Sequence, residues 1–216
     1  VADTTGKPVS LADFKGRTVV LEWVNPGCPF VQKHYGSANM QGTQAEAVRA
    51  VCARRGWTFA AFDFRGHAES SGTMEEMTAS RLLEDLDAVW AYLRTCGVSR
   101  LGLVGSSMGG FASAWFAKRN PEAVVGCVFV APAFNFLDRR WRSVTDSERE
   151  EWRLTGRRPF RNEWVSCELG YGLIAEREQF TLCDLATGWH HPVAFGLLGA
   201  LAGAEPHEVL TAYLHQ

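Results

Sequence analysis

Apolar residues recur along this chain in two rhythms, one of period two and one of three to four residues. Residues 19–24 read VVLEWV, a β-rich run bounded by Gly16 and by Asn25-Pro26-Gly27, which predicts a strand. Residues 43–55 (TQAEAVRAVCARR) place Ala, Val and Cys at helical steps and stop at Gly56. Residues 57–62 form a second apolar strand that runs into the polar loop DFRGHAESSG. Between residues 80 and 96, Leu82, Leu83, Leu86, Val89, Trp90 and Leu93 recur at three- and four-residue steps. That spacing predicts an amphipathic helix with its acids, Glu84, Asp85 and Asp87, on the other side. A third strand is predicted at 101–104 and a helix at 108–119, closed by Asn120-Pro121. A fourth strand at 124–130 ends at Ala131-Pro132.

Strands alternating with helices imply an α/β protein, a mostly parallel sheet with flanking helices. In such sheets ligands sit beyond the carboxyl ends of the strands. After Asn135 the pattern changes. Residues 138–180 are rich in Arg, Glu and Trp and carry one predicted helix, at 146–153, so they are read as a short lid. Residues 195–204 (FGLLGALAGA) fit a strand or a small-residue helix equally, and 208–214 fit a terminal helix. No internal repeat or low-complexity linker interrupts the chain, and 216 residues suit one domain.

Composition narrows the function classes. Lys plus Arg total 22 against 24 Asp plus Glu, a net charge of -2 that offers no footprint for nucleic acid and no polybasic membrane patch. No apolar run is long enough to span a bilayer. Six cysteines (Cys28, Cys52, Cys96, Cys127, Cys167 and Cys183) are scattered without CxxC spacing or an accompanying histidine cluster. Neither a zinc site nor a disulfide framework is expected, and no metal or other cofactor. Cys52, Cys96 and Cys127 lie among apolar residues and are expected as small buried hydrophobes, in keeping with a cytoplasmic protein.

The sharpest motif is Gly105-Ser106-Ser107-Met108-Gly109, a G-x-S-x-G that follows the strand LGLV and opens the helix GGFASAWFAK. A serine in a tight strand-to-helix turn stands above the sheet, with glycines where crowding excludes side chains. Ser107 is therefore the candidate nucleophile. The helix N-terminus and the Met108 backbone N–H face the place where a carbonyl oxygen becomes an oxyanion. The chain has no G-x-x-x-x-G-K-[ST] and no G-x-G-x-x-G, so this loop lacks phosphate-cradling spacing.

Residues 42 to about 180 resemble the α/β-hydrolase superfamily in its small serine esterase, thioesterase and acylhydrolase branch. The resemblance rests on FAAFDFRGHAESSG, SRLLEDLDAVWAYL, LGLVGSSMGGFASAWFA and VVGCVFVAPAF. It implies a carboxylesterase-type enzyme acting on small-molecule esters, with an acyl-serine on Ser107 that water then releases. A serine needs a general base and an orienting acid to attack at neutral pH. The family places the acid after a late strand and the histidine some tens of residues later, but here the matching region reads GALAGAEP. The available histidines are His34, His67, His190, His191, His207 and His215. His207 with Glu205 keeps the family's order, although an acid two residues away is poorly placed to orient its neighbour. His67 belongs to a loop that is structural in the family, and His190 and His191 precede Pro192. A base donated by a second copy across a shortened sheet edge is also consistent, which allows a homo-oligomer.

The first 41 residues depart from that family and resemble the opening of thioredoxin-like redoxin proteins, with Cys28 in NPGCPF at a helix N-terminus. Only a first strand and the start of a helix match. VVLEWV is expected to take the sheet position of the strand that carries the family's oxyanion loop, and the turn from Asn25 to Cys28 to supply the second oxyanion N–H. Two other functions remain open: a thiol enzyme using Cys28, and a non-catalytic binding domain that retains the fold.

Overall fold

The computed structural model describes residues 19–23, 46–67, 70–161 and 166–196. Five strands form one sheet: β1 (Val19–Trp23), β2 (Thr58–Phe62), β3 (Leu101–Ser106), β4 (Val124–Val130) and β7 (Val193–Gly196). Their order is β2-β1-β3-β4-β7 and every neighbouring pair is parallel. Parallel neighbours require crossovers, and helices supply them: α1 (Glu46–Arg55), α2 (Ala79–Thr95) and α3 (Met108–Arg119). The chain leaves β1 toward β2 and leaves β3 toward β4. The β1/β3 boundary is therefore the switch point of the sheet, where the carboxyl ends leave a crevice.

β1 occupies the inner sheet position expected for VVLEWV, with Trp23 paired to Gly105. The redoxin-like reading of 1–41 otherwise falls outside the described residues. The helix at 108–119 and the strand at 124–130 form with the expected bounds, and the other predicted elements between 46 and 106 form with shifts of one or two residues at their ends.

The core follows the apolar periodicity. α2 buries Ala79, Leu82, Leu83, Leu86 and Leu93 on one face. Asp85 departs from the expected solvent face: its carboxylate accepts from the Arg65 backbone N–H at 3.0 Å and from the Arg65 guanidinium. In α3 every residue from Met108 to Ala117 is buried, so Phe111, Trp115 and Phe116 are core. Cys52, Cys96 and Cys127 are buried free thiols, and burial pushes Cys127 up to about 12.

The segment read as a lid is more ordered than its sequence suggested. It holds α4 (Phe136–Arg142), α5 (Asp146–Thr155) and an antiparallel hairpin of β5 (Arg157–Arg161) and β6 (Ser166–Gly170). α6 (Gly172–Ala175) and α7 (Leu182–Ala186) follow before β7. β6 packs along the turn of residues 74–76. Glu176 then accepts the Ser80 backbone N–H at 2.8 Å, capping the start of α2 from 96 residues away. Of the three tryptophans considered for an acyl pocket, Trp152 is 1% exposed and donates to the Leu169 carbonyl at 3.0 Å. Trp141 lies between Arg149 and Arg177, and Trp164 is outside the described residues.

Candidate active site

Ser107 sits at the end of β3 and is the residue that starts α3. Its φ of 50° and ψ of −119° lie outside the regions an L-residue prefers, a conformation that surrounding structure must hold in place. Backbone hydrogen bonds hold it. The Ser107 N–H donates to the Val130 carbonyl at 3.1 Å, and the Ser107 carbonyl accepts from Gly110 at 3.0 Å and Ala133 at 2.9 Å. The flanking glycines are demanded by close approach: a Cβ on Gly105 would meet the Gly109 carbonyl oxygen at 2.5 Å, and one on Gly110 would meet Pro132 Cβ at 2.7 Å.

Helical bonding in α3 begins at the Ser107 carbonyl, so the Met108 and Gly109 N–H groups precede it. No side chain caps this terminus, and no acid occupies its first turn. An uncapped helix N-terminus carries partial positive charge and free donors, the environment that stabilises an oxyanion. Ser107 is half-buried and Met108 is 6% exposed, so the turn is shielded without being sealed.

The chain after β4 folds back over this turn. Ala131 also takes a positive φ, 43°, and directs Ala133 onto the Ser107 carbonyl. Nothing in APAFNF signals that strain, which arises only when β4 and the elbow meet. Phe134 then packs edge-on against Phe129 at 5.1 Å, and Phe136 against Phe111 at 4.9 Å.

The expected partners are only partly within view. Asn25, Cys28, His34, Glu205, His207 and His215 lie outside the described residues. β1, whose last residue pairs with Gly105, leads directly into the segment that holds Asn25. Three histidines are described. His191 bonds the Ala117 carbonyl through Nε2 at 3.0 Å. Ala117 is nine residues along α3 from Met108, roughly 14 Å at the helical rise. His191 and its exposed neighbour His190 precede β7 and so lie at the amino edge of the sheet, away from Ser107. His67 does follow β2 at the carboxyl edge but is 4% exposed, with Nδ1 3.1 Å from the Arg65 carbonyl. Burial pushes its pKa down against the pull of that carbonyl and of Asp63 and Asp85. Among the described residues no group of three or more His, Cys, Asp or Glu is placed to hold a metal ion. No described helix is long and apolar enough to cross a membrane.

The family model for the alpha/beta hydrolase fold matches residues 35–188. The chain belongs to the α/β-hydrolase fold family. A mouse relative, "Palmitoyl-protein thioesterase ABHD10, mitochondrial", is 30% identical over 168 residues, which cover 75% of this chain and 54% of that protein. The bovine protein of the same name is 28% identical over 165 residues, covering 75% and 52%. The chain thus spans about half the length of the curated relatives it matches. Among solved structures, a candidate hydrolase from Agrobacterium vitis S4 aligns with a TM-score of 0.63 at 25% identity, over 82% of this chain and 67% of that one. Mouse alpha/beta hydrolase domain-containing protein 10 aligns with a TM-score of 0.62 at 23% identity, over 85% and 69%, a likeness of fold. This α/β-hydrolase chain therefore carries a strained serine at the switch point of its family's sheet.

Proposed function

We propose that this α/β hydrolase is a carboxylesterase-type serine hydrolase that cleaves short-chain carboxylic esters through an acyl-serine on Ser107. The observation that carries this reading is the strained backbone of Ser107 at the uncapped N-terminus of α3. In this scheme Ser107 Oγ attacks the ester carbonyl and gives its proton to a general base. The Met108 N–H, and a second N–H from the turn at Asn25, receive the oxyanion. Collapse expels the alcohol, which takes the proton from the base. Water then repeats the sequence on the acyl-serine and frees the acid. His207 is the proposed base and Glu205 its orienting acid. Substrate and water balance both half-reactions, so no cofactor is needed.

A thioester is the second reading, and the name of the ABHD10 relatives, palmitoyl-protein thioesterase, favours it. The chemistry differs only in the leaving group, a thiol in place of an alcohol. The test is hydrolysis of a p-nitrophenyl ester series, C2 to C12, beside acyl thioesters of the same chain lengths. Ser107→Ala is expected to lower kcat on the order of 10⁶-fold with an unchanged melting temperature. Turnover that survives Ser107→Ala would transfer the activity to another group, with Cys28 the first to examine.

A further inference from the structure

Among the described residues, Arg140 stands apart from the other half-buried arginines between β4 and β7, while the exposed Arg139, Arg157 and Arg161 also pair with no carboxylate. Arg142 pairs with Asp138, Arg149 with Asp146, Arg153 with Glu150, Arg158 with Glu148 and Arg177 with Glu178. Arg140 is half-buried and has no carboxylate partner among the described residues. Its guanidinium lies 4.1 Å from the centre of the Phe160 ring. Phe160 pairs with Cys167 across the hairpin, so Arg140 is held between α4 and the β5–β6 ribbon. Stacking occupies the face of the guanidinium and leaves its in-plane donors unused. A partly buried cation without an anion is costly, and the charge of Arg158 beside it adds to that cost.

The position of this cation relative to Ser107 gives it a use. Phe136, at the start of α4, packs on Phe111 in the first turn of the elbow helix. Arg140 is one helical turn further on the same face, roughly 6 Å along the axis. The hairpin above it extends to the turn at 74–76, on the rim beyond β2. α4 thus follows the carboxyl end of β4, the hairpin packs on the turn that follows β2, and Arg140 meets the hairpin at Phe160.

Resting on the Ser107 reading, we propose that Arg140 is a specificity residue that receives a carboxylate at the far end of the ester substrate's acyl chain. The flat fork of a guanidinium matches a carboxylate in two parallel hydrogen bonds. A substrate of this class is a monoester of a dicarboxylic acid, with one end at Ser107 and the other at Arg140. Bond making and breaking remain at the serine; Arg140 only positions the chain.

The test compares p-nitrophenyl monoesters of adipic and suberic acids with the neutral hexanoate and octanoate esters. Wild type is expected to favour an acid-ended ester at one of the two lengths. Arg140→Met is expected to lower kcat/KM for that ester tenfold or more, mainly through KM, and to leave the neutral ester within about twofold. Arg140→Lys retains charge without the fork and is expected to fall between the two. Melting temperatures of all variants separate this effect from loss of fold. Calorimetric titration of wild type and Arg140→Met with monomethyl adipate and monomethyl suberate needs no turnover and is read in parallel. Binding by wild type at one length that Arg140→Met loses supports the receptor even if neither ester class is hydrolysed, which would fault the Ser107 reading alone. Equal losses on charged and neutral esters, or no binding of either monoanion by wild type, would overturn the proposal.

Discussion

α3 and α5 are both helices of ten to twelve residues, and they are held by opposite means. α5 carries its own instructions: Thr145 and Glu148 form a reciprocal capping box, Arg149 and Arg153 pair with acids three residues back, and Gly156 closes it in the left-handed conformation. Only Trp152 of α5 is buried. α3 has no side-chain cap and no acid in its first turn, and its first ten residues are all buried. One helix is stabilised locally by surface chemistry and the other by the sheet around it. The difference follows from what each N-terminus faces. Capping the start of α3 would consume the donors that an oxyanion needs, so tertiary packing has to supply what the cap does elsewhere.

Substitutions can break this contrast, and the largest effect belongs to the elbow. Gly105→Ala puts a Cβ against the backbone carbonyl of Gly109, which no side-chain rotation relieves. A loss of about 4 kcal/mol or more is expected in chemical denaturation, together with loss of hydrolysis. Trp152→Ala removes the one buried anchor of α5 and its bond to Leu169, for about 3–5 kcal/mol. Soluble protein from that variant is expected to retain turnover of neutral esters, because the elbow is untouched.

A smaller effect depends on pH. The pKa of His67 is held below its ordinary 6.5 by burial, so the unfolded chain binds the proton more readily than the folded one. Stability from this residue is complete above 6.5, falls by up to about 1.4 kcal/mol per unit below it, and is gone once pH passes the folded value. Urea midpoints between pH 7 and 5 are expected to decline less steeply in His67→Gln. The smallest effect is on α5: Thr145→Ala should cost about 1 kcal/mol and leave kcat unchanged. A Thr145→Ala variant as damaged as Gly105→Ala would erase the distinction between the two helices.

The same contrast explains how far the sequence could be read. α5 was legible because its determinants are neighbours in the chain. The elbow was legible because G-x-S-x-G sits between an apolar strand and an apolar helix. The β5–β6 hairpin was not, since RRPFR sets Pro159 and Phe160 among three arginines and lacks a β-branched signal. Its order comes from Trp152 beneath it and the 74–76 turn beside it, contacts distant in sequence. Ala131 and Arg140 were invisible for the same reason: one is strained, and the other left without a carboxylate partner among the described residues, only by what the fold brings near. His190 and His191 looked available as bases in the sequence, and the fold carries them to the amino edge of the sheet.

The central claim is that the strained turn makes Ser107 a nucleophile. Its most direct measurement is labelling with a serine-directed alkyl phosphonate fluorophore, followed by peptide mass spectrometry. One adduct is expected, on the peptide containing Ser107, with none in Ser107→Ala and none after heat denaturation. A folded chain that takes no label, or that is labelled equally after Ser107→Ala, would contradict the account.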